Sequence, residues 1–184
     1  MPIIQDTTIK TLDGPIHYQQ AGEGPTLLLI HGMGSSCGNW QQNLEHLAQR
    51  FRVYAPCILG LGDSGRPIRE YCFEKYSEAM FNFMDHINLQ STLIIGHSLG
   101  AMLAVQMAAS CPERVVGVVL EGCPAWTDED RERFPIDMAS LAYEDGSPKP
   151  YSFEELKPLY YRPTEEILAE FNKDRLKPGS WNMA

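Results

Sequence analysis

The sequence predicts an α/β fold: a mostly parallel sheet flanked by helices, followed by a helical lid. Three observations carry this reading. Short apolar runs, Thr26–Ile30 (TLLLI), Thr92–Ile95 (TLII) and Val115–Leu120 (VVGVVL), alternate with stretches of helical periodicity. Strands alternating with helices imply right-handed crossovers into a parallel sheet. The glycine-framed segment Gly96-His97-Ser98-Leu99-Gly100 sits between one such run and a helical stretch. After Pro124 the strand pattern stops, and charged, proline-punctuated, helical sequence begins.

In chain order, Thr7–Thr11 and Ile16–Gln20 read as two strands joined by the turn Leu12-Asp-Gly-Pro15, an antiparallel edge. Ala21-Gly-Glu-Gly-Pro25 is a second turn. Thr26–Ile30 is apolar throughout, as a strand covered on both faces must be. Asn39–Arg50 reads as a helix with Trp40, Leu44 and Leu47 at helical spacing. Arg52–Ala55 is a short strand stopped by Pro56. Phe73–Ile87 is a helix with Tyr76, Met80, Phe83 and Met84 on one stripe. Leu99–Ser110, rich in Ala and Met, reads as a helix able to pack closely on a sheet, and Val115–Leu120 is the last clear strand. Beyond it, Asp128–Tyr143, Phe153–Tyr161 and Thr164–Leu176 carry helical patterns, the last opened by a capping Thr164 with Glu165 and Glu166 behind it. The expected organisation is a sheet core over residues 1–125 and a lid over 126–184.

Composition bounds the function. The chain has 184 residues, 43% hydrophobic and 21% charged, with a net charge of −9. An acidic chain lacks the basic footprint of a nucleic-acid binder and is not drawn to anionic membranes. No apolar run approaches the length of a membrane span. The five cysteines, Cys37, Cys57, Cys72, Cys111 and Cys123, are odd in number and show no CxxC spacing. They read as free thiols in a reducing compartment. With no secretory leader pattern at Met1-Pro-Ile-Ile, the expected location is the cytoplasm. Histidines and cysteines lack metal-ligand spacing. Gly60-Leu-Gly-Asp-Ser-Gly65 lacks the lysine of a phosphate loop, so neither a metal nor a cofactor is expected.

The chemistry centres on Ser98. A serine on a sharp turn between strand and helix projects its hydroxyl above the sheet, and the flanking glycines let neighbouring backbone crowd that turn. The helix behind it places a positive dipole end near the reacting oxygen. Acyl transfer also needs two donors aimed at the developing oxyanion. One is the backbone N–H of Leu99; the other comes from His31-Gly32-Met33-Gly34, directly after TLLLI, through the N–H of Met33.

These residues resemble the α/β-hydrolase family, in its lid-bearing branch of small-molecule esterases and carbon–carbon bond hydrolases. The match is carried by His31-Gly32 with Trp40 downstream, Gly60-Leu-Gly-Asp-Ser64 followed by Arg66-Pro67, Gly96–Gly100 with Ala101, and Cys111-Pro-Glu-Arg-Val115. It runs from about Gly14 to Pro124. The resemblance implies a serine hydrolase of small-molecule acyl compounds, with Trp126, Phe134, Met138, Leu141 and Tyr160 of the lid lining an apolar acyl pocket. A serine in the nucleophile slot argues against the epoxide-hydrolase and dehalogenase branches, which use Asp there. Where the family often has an Asp, this chain has Cys57, which implies altered loop packing. The resemblance further implies an acid after a strand beyond the lid and a histidine one strand later, and neither pattern is present. Glu121, at the end of VVGVVL, is the candidate acid within the chain. His17, His31, His46, His86 and His97 all read as structural or exposed. The expectation is therefore a truncated or partner-completed chain whose triad histidine lies outside it. It is weakly active or inactive alone, or else a non-catalytic interaction module. VVGVVL then becomes an apolar sheet edge, a site of possible self-association.

Overall fold

A computed structural model describes residues 2–66, 72–124, 127, 129, 132, 143, 144, 147–159 and 162–177. Six strands form one sheet: β1 (Gln5–Thr11), β2 (Gly14–Ala21), β3 (Thr26–Ile30), β4 (Arg52–Pro56), β5 (Thr92–His97) and β6 (Val115–Glu121). Their order across the sheet is β1-β2-β4-β3-β5-β6. The pairs β1–β2 and β2–β4 are antiparallel. The pairs β4–β3, β3–β5 and β5–β6 are parallel. Helices α1 (Gln41–Leu47), α2 (Phe73–His86) and α3 (Leu99–Ser110) alternate with its strands. Two further helices, α4 (Phe153–Leu156) and α5 (Glu165–Arg175), lie after the sheet.

The apolar run of β3 explains the layering. Leu28 and Ile30 face a core shared with Tyr18, Met80, Phe83, Met84, Leu103 and Met107. Leu27 and Leu29 face a second core with Trp40, Leu44, Val53 and Cys57. Each fully buried side chain of this size contributes roughly 1.5–3 kcal/mol through apolar burial, and alternate residues of β3 supply both layers. The α2 stripe docks Phe83 edge-on against Tyr18, ring centroids 5.1 Å apart.

Some boundaries differ from the sequence reading. The segment expected as one helix from Asn39 is a 3₁₀ turn, Cys37–Trp40, capped by Ser36 and followed by α1. Ser36 Oγ accepts the Gly38 N–H at 3.0 Å, so the cap tightens the entry before the α-helix begins. The helix expected over Phe153–Tyr161 is one turn of α-helix with a Ser152–Glu155 capping box, then the 3₁₀ turn Lys157–Leu159; Pro158 accounts for the change. The helix expected over Asp128–Tyr143 lies almost wholly outside the described residues.

Strand β6 stands at the sheet edge, and Val116 is 72% and Val119 49% exposed. Helix α3 packs against β6 and Val115 joins the first core, but no described element covers Val116 and Val119. No helix of the described residues is long and apolar enough to cross a membrane.

Candidate active site

The turn from β5 into α3 is built by close backbone contact. A Cβ on Gly96 would lie 2.3 Å from the Gly100 carbonyl oxygen, and a Cβ on Gly100 would lie 2.1 Å from the Ile30 carbonyl oxygen. Only glycine at both positions lets α3 start this close to β3 and β5. Between them Ser98 takes φ 52° and ψ −114°, a left-handed conformation that costs a non-glycine residue on the order of 1–3 kcal/mol. Hydrogen bonds on both sides hold it there. The Ser98 N–H donates to the Glu121 carbonyl at 2.9 Å, and the Ser98 carbonyl accepts from Ala101 N–H and Met102 N–H at 3.0 and 3.2 Å.

The loop after β3 closes on the same point. A Cβ on Gly32 would sit 3.2 Å from Ser98 Cβ and 3.0 Å from His97 Nδ1, so the His31–Gly34 loop touches the serine. Met33, half-exposed, follows Gly32, and Gly34 turns the chain with φ 69°. His31 is fully buried and anchors the loop. Its Nε2 accepts the Ile58 N–H at 3.0 Å, while Nδ1 lies 2.8 Å from the Gly32 carbonyl. Both of its ring nitrogens are thus committed to hydrogen bonds within the loop and to the segment after β4.

The remaining candidates are dispersed. His17 pairs with Asp6 at 2.8 Å and with Thr8, and His86 bonds the Asn82 carbonyl on α2. His97 flanks Ser98, and its buried Nδ1 has no hydrogen-bond partner among the described residues. Glu121 meets Ser98 through its backbone carbonyl. Glu121, with His46, Trp40 and Val119, also lines a groove of about 750 Å³ that Ser98 does not line. The structure therefore brings Gly32, Ser98 and the Glu121 main chain together, with Met33 and Leu99 next in the chain to Gly32 and Ser98. Trp126, Phe134, Met138, Leu141 and Tyr160 lie outside the described residues. No group of three metal-ligating side chains occurs among the described residues.

One set of residues escaped the sequence reading. At the end of α5, Asp174 and Arg175 are buried, at 7% and 1% exposure. Asp174 Oδ2 accepts the Ser36 hydroxyl at 2.6 Å, and Lys177 Nζ lies 2.8 Å from Asp174 Oδ1 and 2.7 Å from Asp63 Oδ2. Burial works against the Lys177 ammonium. Its hydrogen bonds to Asp174 and Asp63, and their charges, outweigh that and raise its pKa above the ordinary lysine value. The Arg175 guanidinium stacks 4.4 Å from the Tyr151 ring centroid, donates to the Lys149 carbonyl and abuts Gly34. Burial pulls its pKa down, opposed by Tyr151 and Glu155. The end of α5 thus clasps the loop beside Ser98. Basic residues in a last helical turn read as a complement to the helix dipole, and nothing in their spacing points to a contact 138 residues away.

Comparison with known proteins agrees with this geometry. The family model described as alpha/beta hydrolase fold matches residues 25–149. A haloalkane dehalogenase from Mesorhizobium japonicum is 34% identical over 111 residues, which are 60% of this chain and 36% of that enzyme. Bifunctional epoxide hydrolase 2 of Mus musculus is 36% identical over 112 residues, 59% of this chain and 20% of that protein. A crystal structure of the N-acyl homoserine lactonase AidH superposes with a TM-score of 0.73 at 25% identity, covering 95% of this chain and 66% of that one. The chain thus spans about a third or less of the length of these curated relatives. With a strand-to-helix turn at Ser98, the His31–Gly34 loop against it and the family match over residues 25–149, this chain belongs to the α/β-hydrolase fold family.

Proposed function

We propose that the chain carries the nucleophile half of a serine hydrolase acting on small-molecule carboxylic esters or related acyl compounds. The observation that carries the reading is Ser98 in a left-handed conformation at a strand-to-helix junction, with Gly32 of the neighbouring loop against its Cβ. In this reading Ser98 Oγ attacks the acyl carbon, the carbonyl oxygen becomes an oxyanion, and the alcohol leaves an acyl-enzyme that water hydrolyses. The Met33 and Leu99 amides receive the oxyanion, each such donor contributing on the order of 10²–10³ in rate. Residues 126–184 form the cap, with Trp126, Phe134, Met138, Leu141 and Tyr160 as its apolar lining. The histidine that takes the Ser98 proton, and the acid that orients it, come from outside these 184 residues. The hydrogen bonds of His17, His31 and His86 and the groove position of His46 and Glu121 support this. The odd number of cysteines and their lack of CxxC spacing fit a cytoplasmic enzyme.

Fluorophosphonate labelling of the folded chain tests the reading. An oxyanion hole without its base retains roughly 10³–10⁴ of rate enhancement, so slow labelling that Ser98→Ala abolishes is the expected result. A folded chain whose Ser98 takes no label favours the second reading, a non-catalytic member of the fold. That reading rests on the absence, among the described residues, of a histidine hydrogen-bonded to Ser98.

We also propose that β6 pairs with β6 of a second copy. Val115-Val-Gly-Val-Val119 reads the same in both directions, so a two-fold axis at Gly117 sets valine opposite valine in an antiparallel pair. A lysine on an edge strand blocks such pairing. Sedimentation equilibrium is expected to show a dimer that Val118→Lys converts to monomer; a wild-type monomer at the highest soluble concentration would sink the idea.

A further inference from the structure

The cysteines Cys37 and Cys57 lie on two segments that frame the loop beside Ser98, one opening the 3₁₀ turn after it and the other following β4. They are 2% and 0% exposed. The Cys37 N–H donates to Cys57 Sγ at 3.2 Å, so the Cys57 sulfur sits against the Cys37 backbone. Around it, a Cβ on Gly62 would lie 2.8 Å from Cys57 Sγ and 2.7 Å from Ser36 Cβ. The cage is closed on that side. Buried thiols in apolar surroundings are ordinarily inert, and both cysteines belong to the second core, but the Cys37 N–H gives the Cys57 sulfur a polar contact there. Hydrogen bonding from Cys37 holds the Cys57 pKa below the ordinary thiol value, against the opposing effect of burial. The same hydrogen bond, with burial, pushes the Cys37 thiol up. An N–H donated to its sulfur favours the thiolate form of Cys57, and Cys37 lies beside it in the position of a resolving cysteine.

We propose that Cys37 and Cys57 form a redox modification site that hydrogen peroxide converts to an intramolecular disulfide. The Cys57 thiolate attacks one peroxide oxygen, the O–O bond breaks, and Cys57 becomes a sulfenic acid. The departing hydroxide takes a proton and leaves as water. The Cys37 sulfur then attacks the Cys57 sulfur, the S–O bond breaks, and the Cys37 proton leaves with that oxygen as a second water. The two sulfurs together lose two electrons, and the peroxide is reduced to two waters. The bond ties the His31–Gly34 loop to the end of β4. Its effect on Ser98 chemistry rests on the function proposed above; the disulfide itself does not.

The test uses hydrogen peroxide on the whole 184-residue chain carrying Cys72→Ser, Cys111→Ser and Cys123→Ser, which removes the other thiols. Denatured thiol titration is expected to count two thiols before treatment, none after it, and two again after dithiothreitol. Tryptic mass mapping is expected to show peptides 11–50 and 53–69 joined with the loss of two hydrogens. Two thiols remaining after peroxide would overturn the proposal, as would disulfide-linked dimers or sulfinic acids in place of the joined peptide. If the triple variant does not fold, the wild-type chain gives the same mapping. There, oxidation confined to Cys72, Cys111 and Cys123 is the overturning result. Loss of fluorophosphonate labelling bears only on the function proposed above, so failure of the two ideas is distinguishable.

Discussion

Gly100→Ala is expected to lower the unfolding free energy by about 3 kcal/mol or more, read as a fall in the urea midpoint. Gly100 lies in the first turn of α3. A glycine inside a helix is ordinarily a weak point, and alanine there stabilises by roughly 0.5–1 kcal/mol. Helix propensity alone therefore predicts a rise in stability. The tertiary contact reverses the sign. The new methyl carbon would lie 2.1 Å from the Ile30 carbonyl oxygen and 2.6 Å from the His31 oxygen, and both are backbone atoms of the central strand and the loop it feeds. No rotamer change relieves them, so α3 must shift off the sheet and carry Ser98 with it. A midpoint that stays level or rises would show that α3 does not sit this close to β3.

Asp174→Ala is the second substitution with a large expected effect. It removes the acceptor of the buried Ser36 hydroxyl and one of the two carboxylates around Lys177. Hydrogen bonds to charged groups contribute about 1.5–3 kcal/mol, and the loss should fall within or above that range. The more specific readout is local. Amide exchange should quicken in residues 32–38 and in α5 together, because the clasp is what joins them, while the β3–β5 ladder keeps its protection. Asp174→Asn should recover part of the effect, since its amide oxygen still accepts the Ser36 hydroxyl. Exchange that rises in α5 alone would sever α5 from the loop and refute the clasp. The pH dependence has a defined sign. Because the folded-state pKa of Lys177 is raised, its contribution is complete below the unfolded lysine value of about 10.4. It is lost only as pH climbs from there through the folded value. In wild type this alkaline loss should be larger than in Asp174→Ala.

Much of the fold was legible in the residues. TLLLI announced a strand buried on both faces, and the two halves of its alternation do supply the two cores. The α2 stripe, the antiparallel entry of β1 and β2 and the strand-turn-helix at Ser98 were readable for the same reason. Each is a local pattern whose period or punctuation has one good structural solution. The misjudged helix starting at Asn39 is also local, but it turns on a single side-chain hydrogen bond from Ser36, which periodicity does not register. The clasp was illegible for a different reason. Asp174, Arg175 and Lys177 look like the solvated end of a polar helix, and their burial depends on where α5 lands.

The sequence by itself determined the strand and helix order, the two-sided burial of β3 and the placing of Ser98 between a strand and a helix. These follow from hydrophobic spacing and glycine positions, which act over a few residues. Only the tertiary structure decided that Gly32 meets Ser98, that His31 accepts the Ile58 amide, that Cys37 and Cys57 share a cage, and that Asp174 holds Ser36. Those contacts join segments far apart in the chain. Their energies come from desolvated hydrogen bonds and close packing, which exist only once the elements have docked.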